Sequence, residues 1–93
     1  MYRQIELNPD RIMNKQDMRE YMQETFLFED EEYGAINLDA LSDSLSEVTD
    51  QVDIILRPDA IMKICQNEYA YKVLLVLGRA GEDNPNLRLL FRR

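Results

Sequence analysis

Two aspartates four residues apart, Asp39 and Asp43, are the residues in this chain whose type and spacing suit chemistry. On a helix that spacing makes their carboxylates neighbours on one face. Glu47 and Asp50 continue the row, while Leu38, Leu41, Leu45 and Val48 fall on the opposite side. The stretch 33–48 therefore reads as an amphipathic helix with a dry face and a line of acids. Asn37 suits its N-cap, and Asp39 then lies in the first turn, where the helix dipole favours an anion.

Three chemistries fit a carboxylate pair of this kind, beside a plain solvated face. An acid and base pair needs a substrate pocket and a shifted pKa, and no nucleophile or oxyanion hole stands near it in sequence. A Mg²⁺ clamp needs further carboxylates or substrate phosphates. A recognition surface for basic groups needs only exposure. Elsewhere the signals are negative. The run Glu29-Asp30-Glu31-Glu32 lacks the ligand spacing and glycine of a calcium loop and reads as an exposed loop turned by Gly34. Gly78-Arg79-Ala80-Gly81 has no Lys-Ser or Lys-Thr ending and is not a phosphate loop. The chain has no histidine, which removes the commonest general base and zinc ligand. Cys65 is its only cysteine, so an intramolecular disulfide is impossible. Beside Ile61, Met62 and Ile64 it is expected to be a buried, inert thiol. No catalytic residue, metal ligand or cofactor is predicted.

The 93 residues suit one domain, 1–93, with a single core. No apolar run approaches the ~20 residues that span a bilayer. The N-terminal residues carry no signal-peptide core, so the expected location is cytoplasmic. The net charge of −7 is uneven. From Glu20 to Leu56 there are eleven acids and no Lys or Arg, and the remainder is net basic. Such a segment repels nucleic acid and anionic membranes and attracts a basic protein. Scattered Arg79, Arg92 and Arg93 do not make a nucleic-acid site. Oligomeric state is not encoded in any pattern here.

These acids must be positioned by the rest of the chain. A first strand over 2–7 ends at the turn Asn8-Pro9-Asp10. Asn14, with Asp17 as a capping-box-like partner, opens a helix to about 25 whose core face is Met18, Tyr21, Met22 and Phe26. A second strand spans 51–57. Asp59 suits the cap of a short helix over 60–66, and Asn67 that of a longer helix over 68–80. The longer helix is apolar round most of its circumference, so it is expected to be largely buried, with Gly78 and Gly81 weakening and ending it. A last strand covers 86–92. The order β-α-α-β-α-α-β predicts an α/β fold: a three-stranded parallel sheet packed with about four helices.

Tyr33-Gly34, followed by Asn37-Leu38-Asp39-Ala40-Leu41 and then Asp43 and Leu45, resembles the barstar family of intracellular inhibitors of the ribonuclease barnase. Weaker similarity extends over most of the chain, from residues 12–26 to 73–80 and 87–91. The resemblance implies the same three-stranded parallel fold with four helices and no enzyme activity. It implies an inhibitor, immunity protein or antitoxin whose acidic helix and preceding loop plug the basic active site of a secreted or toxin ribonuclease. On this likeness Asp39 and Asp43 are the partner-binding acids, with Asp43 the main phosphate mimic. Tyr33, Gly34, Asn37, Ser42, Glu32 and Glu47 complete the candidate interface. The chain departs from the family pattern in four ways. The loop to Asn37 is one residue longer, Glu32 replaces an aromatic, Ser42 replaces a tryptophan, and Arg79 replaces an acid. The departures imply a nuclease surface unlike barnase. The alternative is a regulatory or scaffolding module whose acidic face binds a basic protein that is not a nuclease; a metal-dependent enzyme is the third reading.

Overall fold

The computed structural model describes residues 2–26 and 38–92. Strands β1 (Tyr2–Glu6), β2 (Gln51–Leu56) and β3 (Leu87–Phe91) form a parallel sheet in the order β1-β2-β3. Helices α1 (Lys15–Phe26) and α2 (Leu38–Ser46) lie between β1 and β2 in the chain; α3 (Pro58–Cys65) and α4 (Glu68–Asp83) lie between β2 and β3. The α/β class, the three parallel strands and the four helices are those expected. β2 takes the centre because its residues 52–56 are buried without interruption, as a central parallel strand requires.

Local chemistry sets the boundaries. Asn8 accepts from the Asp10 amide and starts one turn of 3-10 helix, Pro9–Arg11. Asn14 accepts from the Asp17 amide at 2.8 Å and donates to the Asp17 carboxylate at 2.9 Å, the reciprocal cap that opens α1. Asn67 caps α4 by accepting from the Ala70 amide at 2.9 Å. The Tyr21 hydroxyl accepts from the Asn8 amide and donates to the Glu6 carbonyl, tying α1 to the end of β1. Arg3 donates from β1 to the Thr25 carbonyl in the last turn of α1.

One sheet face, bearing Val52, Ile54, Leu56 and Leu87, meets the helices in a core with Ile12, Met18, Met22, Leu41, Leu45, Ile64, Val73 and Leu77. Several expectations fail here. α4 runs through Gly78 and Gly81 to Asp83. Gly81 lies inside the helix against the start of β3, where a Cβ would stand in ordinary contact, 3.4 Å, with the Leu87 carbonyl. α4 is also wet on one side, with Tyr71 46% and Leu75 54% exposed. Pro58, not Asp59, opens α3; it takes the first helical position, where its missing N–H is not needed, and Asp59 falls within the first turn. Cys65 is exposed. The dry face of α3 is Ala60 and Ile64, and the next residue is turned about 100° away from it.

The opposite sheet face carries an ionic clamp. Asp53 on β2 is 1% exposed and accepts from Arg88 Nε at 2.8 Å and Nη2 at 2.9 Å. The Tyr2 hydroxyl also donates to it. Arg88 is its register partner on β3, and Tyr2 stands diagonally across on β1, so one carboxylate joins all three strands. Its cover is one side chain thick, since Tyr2 remains 54% exposed.

Arg88, and then Tyr2, hold the Asp53 carboxyl below its ordinary 3.8, against the opposing effect of desolvation. The folded state therefore binds this proton less tightly than the unfolded chain. The clamp's contribution is full above about pH 4 and is lost as pH falls through the lower folded value. In urea unfolding, the stability gap between the native chain and Asp53→Asn is expected to be widest near neutrality and to narrow below about pH 4. A gap that stays constant into acid contradicts the linkage.

Candidate functional site

α2 presents its acids because its other side is committed to the core. Leu41 and Leu45 are 1% and 0% exposed, and Leu38 is half-buried. They pack with Ala70, Val73, Leu77 and Ala80, the dry face of α4. Asp39 in the first turn and Asp43 one turn later stay exposed on the side away from this seam. Ser42 between them is half-buried.

The helix stops sooner than its apolar pattern suggests. It ends at Ser46, so Glu47 is exposed in the following turn and Asp50 lies in a bend before β2. The expected row of four acids is thus two helical carboxylates with two more beyond the helix end. The Ser46 hydroxyl takes the Asp43 carbonyl at 2.6 Å, and the Glu47 and Val48 amides reach back three residues to Ser44 and Leu45. These bonds tighten the last turn and consume the carbonyls that would have extended the helix.

Asn84 completes this end. It is 5% exposed and donates from Nδ2 to the carbonyls of Leu45 and Val48, each at 3.0 Å. Asn86 adds a bond to the Val48 carbonyl at 3.2 Å. The Asn84 amide meanwhile closes α4 on the Ala80 carbonyl at 2.8 Å, and its Oδ1 accepts from the Asn86 amide. One side chain therefore ends one helix while its own backbone ends another. The sequence reading left Asn84 in the connection between the last helix and strand, placed Asn86 at the head of that strand, and gave neither a role. Their signal is two amides flanking Pro85 at a helix-to-strand junction, a pattern that also suits an ordinary turn.

Beside the acids lies a cleft of about 320 Å³ lined by Leu38, Asp39, Lys15, Tyr69 and Lys72. Lys15 comes from the start of α1, and Tyr69 and Lys72 come from α4. Lys72 also pairs with Glu68 at 3.3 Å. The acidic face thus has a cationic border. Of the other predicted interface positions, Glu32, Tyr33, Gly34 and Asn37 lie outside the described residues. Arg79 is exposed on α4.

Chemically, the exposed pair can accept hydrogen bonds from arginine or lysine side chains. Among the described residues no three His, Cys, Asp or Glu side chains converge on a metal position, and no helix is long and apolar enough to cross a membrane.

Against this geometry, a family model described as barstar (barnase inhibitor) matches residues 2–91, and the chain belongs to that family. No curated protein matches the chain. The family is one of ribonuclease inhibitors, not of enzymes.

Replacing Asn84 with Ala removes two donors to the end of α2 and leaves the half-buried Asn86 amide without its acceptor. The expected cost is about 2–3 kcal/mol in urea unfolding, with an unchanged m-value. Asn84→Asp, which keeps the acceptor but aims a carboxylate at two carbonyls, should cost at least as much. A loss below about 0.5 kcal/mol, the level of an ordinary surface change, contradicts this role.

Proposed function

We propose that this chain inhibits a cognate ribonuclease by inserting the acidic face of α2, with the loop before it, into the enzyme's basic active site. One observation supports the reading above the others. Asp39 and Asp43 stand exposed on one side of a helix whose reverse side is locked into the core, in a chain of the barnase-inhibitor family. The carboxylates would occupy the places of RNA phosphates. An anion buried in an interface is tolerated only when paired, and a basic catalytic pocket supplies the pairs. The acidic segment also steers a basic partner toward this face. In this reading the chain is a cytoplasmic immunity protein or antitoxin, and the partner is a secreted or toxin ribonuclease. Ser42 and Arg79 replace family contacts and mark a target surface different from that of barnase.

The same two departures also favour a second reading, a regulatory or scaffolding module that binds a basic protein other than a nuclease. The two readings differ in what happens to the bound protein. Capture from the chain's own cell extract at low salt, followed by an RNA-cleavage assay with and without the chain, separates them. Loss of cleavage supports the inhibitor; retained activity or a non-nuclease partner supports the module.

Asp43→Ala is expected to weaken the captured complex on the order of 10²–10³-fold, chiefly through faster dissociation, because it strands a buried positive charge in the partner. Asp39→Ala follows with a smaller loss, and raising salt slows association. Binding that survives both substitutions unchanged rules out the plug.

A further inference from the structure

The two edges of the sheet are unlike. β1 exposes Gln4 and Glu6, an amide and a charge within five residues, as protected edges do. β3 reads Leu-Arg-Leu-Leu-Phe and ends on Phe91, which is 73% exposed. Beside it runs an apolar groove of about 540 Å³ between β3 and α4, walled by Leu74, Leu75, Leu89 and Phe91, with Arg79 and Glu82 on its rim.

The backbone of β3 is directional. Asn86 gives its carbonyl to the Val52 amide, and the Arg92 amide donates to the Leu56 carbonyl. By the alternation of a parallel ladder, Arg88 and Leu90 also face β2, and Leu87, Leu89 and Phe91 turn their backbone groups outward. The Leu87 amide is used by the Asn84 carbonyl at 3.0 Å, while its carbonyl faces out with both groups of Leu89 and Phe91.

We infer that this edge joins a second copy of the chain, β3 against β3 in antiparallel register about a two-fold axis at Leu89. That register pairs Leu89 with itself through two bonds, lets each Phe91 amide donate to the Leu87 carbonyl of the other copy while the Leu87 amide stays on Asn84, and sets Arg88 opposite Leu90. No like charges meet in the ladder. The apolar groove side of each strand continues into the other, so Phe91 and Leu75 of the two copies cover one another. The same axis runs the two α4 helices antiparallel, which carries Arg79 of one copy toward Glu82 of the other. This self-complementarity under a two-fold is what an isologous interface needs. Charge points to the same face. Each copy carries a net −7, yet residues 57–93 hold seven bases against four acids, so the acids that make the chain anionic lie mostly outside the segment that meets here. The acidic face of α2 is not used, and a dimer formed this way keeps both acid faces available.

The test is sedimentation velocity over a concentration series, with amide exchange at low and high concentration. The native chain is expected to dimerise, with the Leu89 and Phe91 amides gaining protection as the dimer fills. Leu75→Glu, at an exposed position, should leave a folded monomer. Arg79→Glu and Glu82→Arg should each raise the dissociation constant about 10-fold, since symmetry removes two rim pairs at once. The double swap should return it close to the native value, which a merely structural effect would not do. Asp43→Ala should leave dimerisation intact. A chain that stays monomeric at the highest concentration, exchange at Leu89 and Phe91 that ignores concentration, or a double swap no better than the singles overturns the proposal.

Discussion

A buried asparagine amide has four hydrogen-bonding positions, and Asn84 spends three of them where two helices and a strand meet. Its backbone closes α4 and receives the first amide of β3, while its side chain holds the Leu45 carbonyl of α2 and the Val48 carbonyl just beyond it. Unpaired, those carbonyls would face a dry junction at a cost per group comparable to a lost hydrogen bond. The position of α2 is therefore fixed at its C-terminal end by polar bonds and along its length by Leu41 and Leu45. The two constraints act on different parts of the helix, and together they leave it one seating on α4.

Much of the fold was legible because local and global signals agreed. Asn14 with Asp17, Asn67 before Glu68, and the apolar run of β2 each state their role within a few residues, and each holds in the structure. The failures have a common form. Gly81 was read by its intrinsic helix preference, but α4 continues through it to the Asn84 cap, where the packed junction with β3 sets the end. Cys65 was read by its neighbours in the chain, but the helical turn separates it from them in space. Asn84 and Asp53 were missed because their partners lie 39 and 35 residues away. Asp53 did leave a trace, a lone acid inside an apolar strand, which signals a paired charge more often than an error in reading.

The site was legible in part for the same reason. The spacing of Asp39 and Asp43 and the leucines behind them are local features, and they fix which side faces out. The length of the acidic row was not, because the stop at Ser46 depends on Ser46 and on the asparagines of a distant turn. A pattern of leucines and valine that continues to Val48 describes burial correctly, since Val48 is half-buried, without describing helix.

Among the described residues, the contacts that seat α2 run through its leucine side and the carbonyls at its C-terminal end, while Asp39 and Asp43 lie exposed on the other side. Mount and reading head are thus separable parts. Exchanging an outward side chain alters what the helix recognises without asking the core to repack or the junction to find new bonds. A fold arranged in this way can follow a changing target through single surface substitutions, each costing little in stability. Ser42 and Arg79, unlike the family pattern at positions half-buried or exposed, are changes that such a scaffold tolerates.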